Sequence, residues 1–132
     1  MFTEMLPILL AIALMQSADL VPPTQRGSDL YQSCKTGVKV MDSQTATTHD
    51  ISEGMVCSAY LMGFLDASGM FPNNSICADE ATLGTVSRVY VAYMEANPKV
   101  MDQPKAVGVY EALAIAYPCP VKATPPKRSS KK

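Results

Sequence analysis

The residues able to do chemistry in this chain are few. The single histidine, His49, stands beside Asp50 in a polar stretch, and an imidazole next to a carboxylate is the smallest unit of general acid–base catalysis. Nothing accompanies it. No serine sits in a G-x-S-x-G turn, no glycine-rich phosphate loop is present, and no H-E-x-x-H helix offers zinc ligands. His49 is read as an ordinary loop residue. Among the scattered acids, Asp66 is expected to face inward, where a buried carboxylate needs a partner such as Arg88 or a tyrosine hydroxyl. That is a structural role rather than a catalytic one. Tyr60, Tyr90, Tyr93, Tyr110 and Tyr117 read as core or interface residues, and the nine methionines form no M-x-x-M array and read as packing. No catalytic residue, metal site or cofactor is expected.

Four cysteines remain: Cys34, Cys57, Cys77 and Cys119. They contain no C-x-x-C pair, so neither a thioredoxin-type redox site nor a zinc ribbon is supported. The chain begins "MFTEMLPILLAIALMQSA", with an apolar run from Met5 to Met15 too short to span a bilayer and Ala18 at a position for signal-peptidase cleavage. Residues 1–18 are therefore read as a secretory signal peptide, although Glu4 replaces the usual positive charge. A buried first helix or an uncleaved anchor is the competing reading. Export places all four cysteines in an oxidising compartment, where an even number argues for two disulfides. "NNS" at Asn73 matches a glycosylation acceptor, which has meaning only in a eukaryotic source.

Residues 19–121 hold six Lys and Arg against eleven Asp and Glu, a net of −5, whereas Lys122, Lys127, Arg128, Lys131 and Lys132 give the tail +5. Residues 122–132 are expected to be a basic, disordered tail, and 19–27 a polar linker. No basic face with interleaved aromatics exists elsewhere, so no nucleic-acid partner is expected, and no stable membrane insertion after signal cleavage. The domain proper is 28–121. A chain of this size buries only about 60–65% of its unfolded surface, so covalent staples matter.

The apolar spacing in 28–121 is helical. Ser28 can cap a short first helix that exits at Lys35 and Gly37, followed by a loop "VKVMDSQTATTHD". Asp50 and Glu53 have capping-box spacing, with Ser52 a rival cap, and open a second helix whose inward stripe is Val56, Tyr60, Gly63, Phe64 and Ala67. Gly63 suggests that another helix crosses closely there. Pro72 stops it. Thr82 caps a third helix with Leu83, Val86, Tyr90 and Tyr93 inward and Arg88 and Glu95 outward, ending at Asn97 and Pro98. Asp102 can cap a fourth, with Ala106, Tyr110, Leu113 and Tyr117 inward.

Short connections make consecutive helices antiparallel. The end of the first helix then returns to the start of the second, and the end of the fourth to the start of the third. Cys34–Cys57 and Cys77–Cys119 are the pairs expected. Cys57–Cys77 is disfavoured, because the helix after Cys57 carries the chain roughly 20 Å away, whereas a disulfide needs Cα atoms within about 7 Å. The fold class is all-α, a small bundle of four or more helices stapled by two disulfides.

Cys34, then "CSAYLMGFLDA" with Cys57, Tyr60, Gly63 and Asp66, then "ICADEATLG" with Cys77, then "YMEANPKVMDQPKAVGVYEALAIAYPC" together resemble the Rap/Tai family of immunity proteins. The resemblance covers roughly residues 28–119 and is carried by the combination of motifs rather than by any one. It implies a small, all-helical, periplasmic protein, often a homodimer, that neutralises a peptidoglycan amidase effector of a type VI secretion system. Such proteins plug a cysteine–histidine amidase cleft stoichiometrically, so the chain is not expected to be an enzyme. The polar stretch "DSQTATTHDISEG" and the lysine-rich tail depart from the pattern.

The residues suggested for partner contact are Asn73, Asn74, Asp79 and Glu80 before the third helix and Asn97 and Lys99 after it. The two groups lie at opposite ends of that helix, so one of them is expected to serve. A preorganised surface spares the ordering cost of binding, and a core of net −5 would speed capture of a basic partner. The alternative function is a periplasmic helical chaperone or small-ligand carrier, which would show a dissociable apolar surface or an internal cavity.

Overall fold

The computed structural model describes residues 25–43 and 45–121; the expected signal peptide, most of the linker and the basic tail lie outside the described residues. Four α-helices run in order: α1 Gly27–Asp42, α2 Thr48–Gly69, α3 Leu83–Ala96 and α4 Lys105–Ala116, with a 3-10 segment Pro98–Asp102 between the last two. No β-strand occurs among the described residues; two isolated bridges, Arg26 with Pro104 and Ile76 with Pro118, tie helix ends to loops. Helix α1 packs on all three other helices, most extensively on α2.

Side-chain pairs give the helix directions. Cys34 meets Cys57 and Gly37 meets Gly54, so α1 and α2 are antiparallel. Arg88 pairs with Asp42, and Glu95 accepts from Tyr31, so α1 and α3 are antiparallel as well. The Tyr93 hydroxyl donates to Glu111 across α3 and α4 at 2.6 Å. The core where these faces meet contains Leu30, Cys34, Cys57, Leu61, Val86, Tyr90, Met94, Val109 and Leu113, each almost wholly buried. Burying an aliphatic or aromatic side chain of this size is worth about 1.5–3 kcal/mol, so the core and its staples outweigh any surface contact. No buried side-chain nitrogen or oxygen lacks a partner among the described residues.

Helix α3 matches the sequence reading closely. Thr82 caps it by accepting from the Thr85 N–H, Val86 and Tyr90 are buried, and Arg88 and Glu95 are exposed. Three other expectations are corrected. Helix α1 does not stop at Gly37 but continues to Asp42, because Gly37 lies against α2, where its missing side chain permits contact. Helix α2 begins a few residues earlier than expected. Thr47 is its cap, accepting from the Asp50 N–H at 3.1 Å, while the Asp50 carboxylate accepts from the Thr47 N–H at 3.0 Å; Asp50 is thus the inner half of the capping box. Helix α4 has no side-chain cap, so Asp102 does not serve there and ends the 3-10 segment instead.

The inward faces of α2 and α4 are also rotated from their expected positions. On α2 the buried residues are Cys57 and Leu61, whereas Val56, Gly63 and Ala67 are exposed and Tyr60 and Phe64 are half-buried. No neighbouring helix approaches Gly63. On α4 the buried residues are Gly108, Val109, Ala112 and Leu113; Ala106 and Tyr110 are exposed. Both helices are apolar nearly all round, so periodicity alone leaves the inward direction open. On α2 the disulfide decides it, since Cys57 must point at Cys34. Asp66 is exposed rather than inward, and Arg88, its suggested partner, pairs with Asp42 instead.

Candidate functional site

The disulfides pair as expected. Cys34–Cys57 joins α1 to α2 inside the core, and Cys77–Cys119 joins the connection before α3 to the chain just after α4. At the second bridge the backbone adds its own fastening, with the Cys77 N–H donating to the Tyr117 carbonyl at 2.8 Å and the Cys119 N–H to the Ser75 carbonyl at 3.1 Å. The prolines on either side of Cys119 restrict the backbone that presents it. Residues 70–82 are therefore a loop between α2 and α3 that is pinned near its middle to the segment after α4.

This loop carries four of the six suggested contact residues. Asn73, Asp79 and Glu80 are exposed. Asn74 is not free in the same sense, because its amide donates to the Ile76 carbonyl at 2.7 Å and accepts from the Ile76 N–H at 3.0 Å. It shapes the turn that seats buried Ile76. Two hollows flank the loop. A largely apolar groove of about 270 Å³ is lined by Phe64, Ala67, Phe71 and Tyr110, with Asn73 and Ser75 among its polar lining. The Tyr110 hydroxyl and the Ser75 hydroxyl lie 2.8 Å apart. A broad, shallow depression of about 710 Å³ has Asp79, Glu80, Thr82, Thr85 and Tyr117 along its walls.

The other two suggested residues lie across the domain. A helix of 14 residues separates the loops, so Asn97 and Lys99 are roughly 20 Å from Asp79 and Glu80. Asn97 donates from its amide to the Tyr93 carbonyl at 2.9 Å and ends α3, which assigns it a structural task. Lys99 is exposed. The six residues therefore do not form one patch, and the 70–82 loop is the better endowed end.

Several charged groups outside the loop tie helices together. Arg88 makes a bidentate contact with Asp42 at 2.7 and 3.1 Å, which lowers the Asp42 carboxyl from its ordinary range. The Lys35 ammonium donates to Tyr31, whose hydroxyl donates to Glu95, and this raises the lysine pKa. Thr47 lowers the Asp50 carboxyl through side-chain and backbone hydrogen bonds. Burial raises the Tyr90 phenol, which donates to the Gly27 carbonyl. These are structural perturbations, each explained by a helix contact or a cap. Among the described residues no group of three or more His, Cys, Asp and Glu is placed to hold a metal ion. Nor is any helix there long and apolar enough to cross a membrane.

Sequence reasoning missed the outer face of α2. Ile51, Met55 and Met62 follow one another at spacings of four and seven and are 48%, 66% and 52% exposed, with Val56 and Met70 flanking them. Near the groove, Phe71 is 68% exposed. The apolar character of α2 on all sides was the available signal, since a helix apolar all round normally has neighbours on all sides.

No curated protein and no solved structure matched the chain. A family model described as Rap1a immunity proteins matches residues 26–119, which take in all four helices and both disulfides. The chain belongs to the family of Rap1a immunity proteins.

Proposed function

We propose that the mature chain is a periplasmic immunity protein that binds and occludes a peptidoglycan amidase effector delivered by a type VI secretion system. The family match carries this reading, since it spans the whole stapled bundle rather than a fragment of it. The physical character of the molecule supports it. Two disulfides fix the bundle, and a loop pinned near its middle by one of them needs little further ordering on binding, which spares affinity. The chain acts stoichiometrically, without turnover, through the 70–82 loop, with Asn73, Asp79 and Glu80 offered to the partner and Asn74 holding the loop's shape.

The reading includes self-association. Ile51, Met55, Val56 and Met62 are 48%, 66%, 53% and 52% exposed on α2, and apolar side chains of this size gain by leaving water. A second copy covering this face would leave the 70–82 loop of each protomer for an effector.

The test uses oxidised protein of residues 19–132 and the amidases encoded and secreted by the source organism and its close relatives. Saturable binding of one amidase at a 1:1 protomer ratio, with peptidoglycan cleavage abolished at equivalence, is the expected result. Failure of every such amidase to bind would overturn the assignment. Capture of many unfolded clients or of a copurifying lipid would replace it with the chaperone or carrier function.

A further inference from the structure

The two disulfides differ in their access to solvent. Cys34 and Cys57 are 0% and 1% exposed, enclosed between α1, α2 and α3, with the Ser87 hydroxyl 3.8 Å from the Cys57 sulfur. Cys77 is an exposed residue on the wall of the broad depression, and Cys119 is half-buried three residues beyond the end of α4. Thiol–disulfide exchange requires a thiolate to reach a sulfur, so an exposed bridge is open to reduction while an enclosed one waits for unfolding. The exposed bridge is also the one that fastens the 70–82 loop.

We infer that Cys77–Cys119 is a redox-addressable fastener: an external dithiol reduces it in the folded protein, and its opening loosens the 70–82 loop while α1 and α2 stay locked. In the first step a thiolate of the dithiol attacks one sulfur of the bridge, forming a mixed disulfide and releasing the other cysteine as a thiolate that takes up a proton. The second thiol of the donor then displaces the remaining cysteine. Two electrons pass from the dithiol to the bridge, leaving two protein thiols and one oxidised donor.

The bonds that survive define what loosening means. After reduction the loop retains the Cys77-to-Tyr117 and Cys119-to-Ser75 backbone hydrogen bonds, the Ser75–Tyr110 hydroxyl contact and the buried Ile76 side chain. These keep it seated on average. They no longer prevent local opening, because nothing covalent then holds residue 77 to residue 119. Asp79 and Glu80 stand two and three residues beyond the released sulfur. Order at this end of the domain thus becomes conditional on the redox poise, whereas order along α1 and α2 does not. The regulatory consequence, weaker effector capture under reducing conditions, rests on the function proposed above; the selective loosening does not.

The experiment is a timed reduction of the oxidised wild-type protein of residues 19–132 with dithiothreitol under native conditions. Aliquots are alkylated and mapped by mass spectrometry, with amide hydrogen exchange read in parallel. The expected result is alkylation of Cys77 and Cys119 at least tenfold faster than of Cys34 and Cys57. Exchange across 70–82 should accelerate at least tenfold while α1 and α2 keep their protection. Simultaneous reduction of both bridges, or selective reduction with unchanged exchange in 70–82, would overturn the inference. A Cys77→Ser/Cys119→Ser variant that folds should reproduce the loosened loop without reductant; the wild-type measurement decides the matter if the variant does not fold. Loosening without any amidase binding in either redox state would sustain the fastener and remove the immunity function.

Discussion

Gly37 and Gly54 face each other across the α1–α2 contact so closely that a β-carbon on Gly37 would lie 3.0 Å from the Gly54 Cα, and one on Gly54 would lie 3.1 Å from the Gly37 Cα. Each glycine lies three residues from a cysteine of the buried bridge, so the glycine pair and the disulfide form successive rungs of one antiparallel contact. In both cases the neighbouring atom is backbone, which cannot swing aside as a side chain would. Gly37→Ala or Gly54→Ala should therefore push the helices apart and destabilise the domain by about 1–3 kcal/mol. Gly63→Ala, at a helix position with nothing within 4 Å, should instead stabilise by up to about 1 kcal/mol. Urea denaturation of the three variants checks this: a loss of stability at Gly63 equal to that at Gly37 would contradict the assigned contact.

That contrast shows where the sequence was legible. Helix existence, the Thr82 cap and the direction of α3 could be read because α3 is amphipathic and its polar residues say which side faces water. The disulfide pairing could be read because short connections enforce antiparallel neighbours. The rotation of α2 could not, because apolar residues occupy its whole circumference and Gly63 looks no different in sequence from Gly54. The end of α1 was hidden for the same reason, since Gly37 has the composition of a helix stop and the geometry of a helix crossing. For the candidate site, the exposed loop residues were legible as polar and turn-forming. The structural engagement of Asn74 and Asn97 was not, because an asparagine that bonds its own backbone has the same letter as one that awaits a partner.

Acid should weaken two specific contacts. Arg88 lowers the Asp42 carboxyl and the Thr47 hydrogen bonds lower that of Asp50, so in both cases the folded pKa lies below the unfolded value of about 3.9. Unfolding then takes up protons, and the stabilisation from each group is fully present above about pH 4 and is lost as the pH falls through the folded pKa. The Tm deficit of Arg88→Ala relative to wild type should be present at pH 6 and shrink toward pH 2. Arg88 and Asp42 are both exposed, so the deficit should be small and should also decline with added salt. A deficit that grows on acidification would show that Arg88 acts through something other than Asp42.

Charge placed on the outer face of α2 should separate protomers without unfolding them. Met62 is 52% exposed on α2, so Met62→Glu costs little in the isolated chain. Across a two-fold interface the same carboxylate would meet apolar surface and its own symmetry mate, a desolvated like-charge contact. Sedimentation equilibrium at micromolar protein should show a wild-type dimer and a Met62→Glu monomer with unchanged helical circular dichroism. A wild type that sediments as a monomer at these concentrations would rule out self-association through α2.

The two ends of α3 make opposite predictions for effector binding. Asp79 and Glu80 sit on a loop whose position is fixed by the Cys77–Cys119 bridge and by buried Ile76. Lys99 sits in a 3-10 segment whose neighbouring Asn97 is already committed to the end of α3. Reversing the charge at the first end, Asp79→Arg with Glu80→Arg, should alter both approach and contact if the partner docks there. It should weaken effector binding at least tenfold, a change of about 1.4 kcal/mol, with part of the loss in the association rate at low salt. Lys99→Glu should leave the affinity within about twofold, a change of roughly 0.4 kcal/mol. Neither substitution removes a hydrogen bond that holds the fold, so thermal stability should change little in either variant. Binding kinetics measured for both at two ionic strengths decide between the ends, and a large loss at Lys99 with none at Asp79 and Glu80 would transfer the contact surface to the loop between α3 and α4.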